Sequence, residues 1–142
     1  MSKSAESSHF SRPTASELAV LQLLWQRGPL SVREVHEALP DGKPIVYTTV
    51  LKTMQVMLDR GFLTRRAEGR KHIYAAAVTE GETQNNLLDN FLHRAFGGSA
   101  MSMVMKALGN YDATPGEIEE LKAYLDELEN GSTTQNPLDR TE

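Results

Sequence analysis

The stretch "VYTTVLKTM", Val46 to Met54, follows the turn-forming "PDGKP" of residues 40–44 and sets two adjacent threonines and a lysine at the start of an otherwise apolar helix. Stepping 100° per residue from Val50 gathers Tyr47, Met54, Met57 and Leu58 on one side. Thr48, Lys52, Gln55 and Asp59 fall opposite, flanked by Thr49 and Thr53. This polar side is not the usual Glu/Lys solvated face. Either the threonines cap the helix, or the face is built to enter a partner.

The segments on either side favour the second reading. Upstream, a helix is predicted over Ala15 to Gln26, with Leu18, Leu21 and Trp25 on one stripe beside Val20 and Leu24, and Gly28-Pro29 stops it. A second is predicted over Val32 to Leu39, with Val32, Val35 and Leu39 on one side; Pro40, Gly42 and Pro44 then form the turn. The third opens between Pro44 and Thr48 and ends at Gly61. Downstream, "FLTRRAEGRKHIYAAAV" reads as two β-prone runs around "EGRK", a hairpin carrying Arg65, Arg66, Arg70 and Lys71.

Beyond Thr79 the periodicity is helical only. Leu87, Leu88, Phe91, Leu92, Ala95 and Phe96 form one stripe, ended by Gly97-Gly98. Met101, Met103, Val104, Met105 and Leu108 lie on a short helix from Ser99 to Leu108, and Ile118, Leu121, Leu125 and Leu128 mark a last one. Four helix starts carry a Ser/Thr followed three residues later by Glu: Thr14/Glu17, Ser31/Glu34, Thr79/Glu82 and Thr114/Glu117. Such a pair satisfies two otherwise orphaned amide groups reciprocally.

Three helices followed by a two-stranded hairpin is the order of a winged helix-turn-helix, in which the third helix enters the DNA major groove and the hairpin, or wing, lies over backbone. The fold class expected is mainly α with a small β-hairpin: a winged helix over residues 13–78, then a three-helix dimerisation domain over 79–129. Disordered ends are expected over 1–12 and 130–142. Tyr47, Thr48, Thr49, Lys52 and Thr53, with Arg65, Arg66, Arg70 and Lys71, are the candidate DNA-binding residues. Short hydroxyl side chains let a helix start approach phosphate, and Lys52 reaches a guanine edge or a phosphate. The wing cations have a second reading, as a charged edge that discourages strand pairing.

Charge agrees with this division. Residues 1–78 hold 11 Lys+Arg against 7 Asp+Glu, and residues 79–142 hold 4 against 12. The split suggests that only the front half meets a polyanion; a chance division of solvated charges is the other reading. The rear stripes, through Leu88, Phe91, Leu92, Phe96, Met101, Val104, Leu108, Ile118, Leu121, Leu125 and Leu128, are too apolar to cover one another and call for a second copy. Folding back onto the winged domain is the alternative.

"ELAVLQLLW", "YTTVLKTMQVMLDRGFLTRRAEGRKHIY" and "GGSAMSMVMKAL…IEELKAYLDEL" together resemble the penicillinase-repressor family, the BlaI/MecI type, over Pro13 to Glu129. The resemblance implies a homodimeric transcriptional repressor whose partners are operator double-stranded DNA and itself. In relatives a sensor protease cuts an Asn-Phe bond in the dimerisation helices. Aligned on the preceding "GGS", that bond corresponds here to Lys106-Ala107, which changes its chemistry. A copper-responsive branch uses a C-terminal cysteine cluster; this chain of 142 residues has no cysteine, which excludes that mode.

Other function classes find little support. His9, His36, His72 and His93 have no metal-ligand spacing, and no nucleophile motif or Gly-rich phosphate loop occurs. No cofactor and no enzyme activity are expected. The N-terminus lacks the apolar run of a secretory signal, and no 18 consecutive apolar residues occur, so a soluble, cytoplasmic protein without a membrane partner is expected. The runner-up function is a winged-helix protein–protein interaction module.

Overall fold

The computed structural model describes residues 12–40 and 45–131. Gly42 and Pro44 of the expected turn lie outside these residues, as do nearly all of the two ends expected to be disordered. Two compact units divide the chain, Met1–Leu88 and Asp89–Glu142.

The front unit contains α1 (Ala15–Arg27), β1 (Leu30–Ser31), α2 (Val32–Ala38), α3 (Tyr47–Asp59), β2 (Leu63–Glu68) and β3 (Lys71–Ala76). Its helix starts are set locally. Thr14 Oγ1 accepts from the Glu17 amide at 3.2 Å while Glu17 Oε1 accepts from the Thr14 amide at 2.9 Å. Ser31 and Glu34 repeat this exchange at 3.2 and 2.8 Å. α3 ends in a Schellman pattern: Phe62 N–H donates to Met57 O and Gly61 N–H to Leu58 O, with Gly61 at φ 88°. That left-handed step turns the chain out of α3 and into β2.

The strands form an antiparallel sheet in the order β1-β3-β2. The expected hairpin is present, and a third strand joins it. Leu30 and Ser31 pair with Tyr74 and Ile73. Ser31 thus serves at once as a strand residue and as the cap of α2. Glu68 and Lys71 close the wing around Gly69-Arg70, with Gly69 at φ 66° in the first turn position, where glycine is favoured.

Val20, Leu21, Leu24, Val35, Val50, Met54 and Met57 from the three helices meet Phe62, Leu63 and Tyr74 in one core. Trp25 adds a polar tie: its indole Nε1 donates to Val78 O at 3.0 Å, fixing the chain as it leaves β3.

Three helices follow: α4 (Glu80–Phe96), whose first half belongs to the front unit, α5 (Ala100–Asn110) and α6 (Pro115–Asn130). Thr79/Glu82 and Thr114/Glu117 form the two remaining reciprocal caps. Ser99, with no Glu partner, caps α5 by accepting from the Ser102 amide at 3.1 Å. Neither α5 nor α6 buries a single residue. Among the described residues no helix is long and apolar enough to cross a membrane.

Candidate nucleic-acid interface

α3 divides as its periodicity predicts except at Tyr47, which falls on the Val50 side in sequence and is exposed. Val50, Met54 and Met57 are buried, at 3%, 0% and 0% exposure, while Thr48, Thr49, Lys52, Gln55, Val56 and Asp59 are exposed and Thr53 is half-buried. The capping reading of the threonines fails on geometry. The residue before α3 is Val46, and among the described residues no side chain caps this helix, whereas α1, α2, α4, α5 and α6 each have a hydroxyl cap. Among the described residues the positive end of α3 is therefore left uncapped, beside two exposed hydroxyls.

Thr48, Thr49, Lys52 and Thr53 line one open groove with Val56, and with Thr14, Ser16 and Glu17 from the start of α1. Glu17, 5% exposed, is an unexpected acid in a surface expected to meet a polyanion. Its charge is already answered: Arg60 Nη1 donates to both carboxylate oxygens, at 2.9 and 3.0 Å. Arg60 also donates through Nη2 to Arg12 O at 3.2 Å and lies over the Phe62 ring, 4.9 Å from its centroid. The pair joins the start of α1 to the end of α3, the two elements that line the groove. Local sequence gave no signal for it, because Glu17 and Arg60 are 43 residues apart.

Tyr47 does not line that groove. It is 42% exposed, and its ring meets His36 edge-on with centroids 5.9 Å apart. His36 Nε2 lies 2.7 Å from Ile45 O, within donating distance, so this side chain of α2 holds the approach to α3. The spacing of the histidines assigns His36 no role; in the fold it makes a positioning contact.

Arg65, Arg66, Arg70 and Lys71 are all exposed, but they do not form one cluster. Opposed residues of an antiparallel pair share a face and successive ones alternate. Arg65, paired with Tyr74, continues the face of Leu63 that packs on the core. Arg66 is on the other face, as are Glu68 and Lys71, and its Nη2 donates to Glu68 Oε2 at 3.1 Å. Arg70 occupies the turn. Strand alternation in the sequence contained this split, once the register was known.

The rear positions expected to pair with a second copy are open. Leu88, Phe91, Met101, Val104, Leu108, Leu125 and Leu128 are exposed, with Met101 at 71%, and Leu92, Phe96, Ile118 and Leu121 are half-buried. Met105 and Tyr111, absent from that expectation, are exposed at 63% and 75%. Phe91 and Phe96 touch edge to face, 5.7 Å between centroids.

The model of the penicillinase repressor family matches residues 13–127. The penicillinase repressor of Bacillus licheniformis is 27% identical over 115 residues, 81% of this chain and 90% of its own. The transcriptional regulator BlaI of Mycobacterium tuberculosis is 31% identical over 123 residues, 85% of this chain and 88% of its own. A solution structure of the Bacillus licheniformis BlaI monomeric form in complex with the blaP half-operator aligns at 21% identity and TM-score 0.44, covering 50% of this chain and 87% of that one. With a winged helix at its front, exposed helices at its rear and the family model spanning both, the chain belongs to the penicillinase repressor family of transcriptional regulators.

Proposed function

We propose that this protein is a homodimeric, sequence-specific DNA-binding repressor that acts in the cytoplasm, without catalytic chemistry of its own. Residues 13–78 bind operator double-stranded DNA and residues 79–129 pair with a second copy. The observation that carries this reading is α3: its apolar side is buried, while its uncapped start and the Thr48/Thr49/Lys52 flank face outward. An open helix start favours phosphate, and the exposed flank is free to meet base edges.

Pairing rests on the rear helices, where Leu88, Phe91, Met101, Val104, Leu108, Leu125 and Leu128 are exposed. Two copies double the contacts and fix the spacing of two half-sites. A sensor protease would meet Lys106-Ala107 inside α5, where the backbone is closed into a helix, so a cut there requires local unwinding.

A gel-shift series on DNA from the protein's own promoter region, at several salt concentrations, tests the reading. The expected result is one preferred duplex bound well above random DNA, with affinity falling steeply as salt rises. Equal binding to random DNA defeats sequence reading, and a monomer in sedimentation at micromolar concentration defeats the homodimer.

A further inference from the structure

One side chain in the α1/α3 groove suits neither phosphate nor water. Val56 is 39% exposed, yet it stands on the otherwise polar side of α3. Scattered surface valines are ordinary. This one completes a stripe: Thr49, Lys52, Thr53 and Val56 follow the i, i+3, i+4, i+7 spacing of a single helical face, and all four line the groove.

The groove's chemistry narrows what it can recognise. Bases are read with two hydrogen bonds by Arg, Asn or Gln, or by a carboxylate accepting from cytosine. Among the lining residues no Arg, Asn or Gln occurs, and the one acid, Glu17, has both oxygens bound by Arg60. What remains is Lys52, several hydroxyls, and the methyl groups of Thr49, Thr53 and Val56. Thymine alone among the bases offers a methyl group in the major groove.

We infer that the Thr49/Thr53/Val56 stripe of the α1/α3 groove reads thymine methyl groups, with Val56 as a specificity-determining residue and Lys52 as the one cation for a neighbouring guanine or phosphate. This rests on the DNA-binding function proposed above. The seven residue steps of helix from Thr49 to Val56 rise about 10.5 Å, or about three base-pair steps, so each half-site presents its methyl groups within that span.

The full-length protein is first used to select duplexes from a random pool. In the best duplex each thymine is then replaced, one at a time, by deoxyuridine, which lacks only the methyl group. Removing the methyl weakens binding about fourfold at one to three adjacent positions per half-site. Val56→Ala abolishes that penalty at one position, and Thr53→Ser at a neighbouring one. Both variants keep the thermal midpoint of the parent, because neither side chain belongs to the buried core. Deoxyuridine duplexes bound as tightly as their thymine parents overturn the inference, as do unchanged penalties in both variants. Failure to select any duplex overturns the DNA-binding function itself, which is a distinct result.

Discussion

Between Val20 and Tyr74 thirteen apolar residues are buried to 8% exposure or less, while from residue 84 to residue 131 not one residue is buried. The contrast is not one of sequence pattern. Leu18, Leu21 and Trp25 on α1 and Ile118, Leu121, Leu125 and Leu128 on α6 are equally good helical stripes. The first is covered by α3 and the sheet; of the second, Ile118 and Leu121 are half-buried and Leu125 and Leu128 are exposed. Periodicity therefore states that a helix face wants burial and leaves open what buries it. The front unit answers with its own strands, and under the proposed function the rear answers with a second copy.

The largest expected effect breaks this contrast at the rear. Replacing Leu125 and Leu128 by Asp puts two charges where the proposed partner seats, at side chains 53% and 46% exposed in the single chain. The variant sediments as a monomer, its circular dichroism is retained, and affinity for a duplex with two half-sites falls about 100-fold or more. Affinity for a single half-site stays within about twofold. A double variant that remains dimeric removes α6 from the interface.

Next in size is a charge deletion in each unit. Glu17→Ala leaves Arg60 without its carboxylate in a nearly closed site and costs about 3 kcal/mol, the low end for a buried pair because a quarter of the Arg60 side chain still reaches solvent. Asp89→Ala removes the 3.5 Å contact to His93 on an exposed stretch of α4 and shifts stability by less than about 0.5 kcal/mol. Urea unfolding of the two variants measures both. Equal losses show that burial does not set the weight of these pairs.

How much of this was legible in the chain follows from how local each signal is. The four reciprocal caps need residues only three apart, and all four are formed. The two sides of α3 needed one helix period, and its buried residues are those on the Val50 side. β1 escaped because two residues carry no alternation, and because Ser31 already read as a helix cap. The Glu17–Arg60 pair and the Trp25–Val78 tie escaped for a different reason: 43 and 53 residues separate their ends, so only the folded core brings them together. For the candidate site, residue types were legible and grouping was not. Thr48, Thr49, Lys52 and Thr53 share a groove, but Tyr47 leans on His36 and the wing cations divide between two faces.

That division gives a smaller and sharper test within the front unit. Arg65 has no acidic neighbour on its strand face, whereas Arg66 is tied to Glu68 at 3.1 Å. Arg65→Ala lowers the slope of log affinity against log salt by about 1, the loss of one phosphate contact. Arg66→Ala lowers it by less than half as much, since Glu68 already offsets that charge. Equal slopes for the two variants contradict the register-based split.

The smallest effect concerns acid. The Glu34 carboxyl is held below its ordinary pKa, first by the hydrogen bond from the Ser31 amide, then by the Ser31 hydroxyl, with Lys71 of the wing adding a weaker attraction and desolvation opposing. The folded state thus prefers the ionised form more than the unfolded chain does, and binds fewer protons through the acid range. Stability from this group is fully present above the unfolded value and is lost as pH falls through the folded one. Glu34→Gln keeps an acceptor for Ser31 but has no charge to titrate. Its thermal midpoint lies below that of the parent at neutral pH, and the gap closes in acid. A gap that stays constant with pH would mean that Ser31 and Lys71 act on the shape of this side chain and not on its charge.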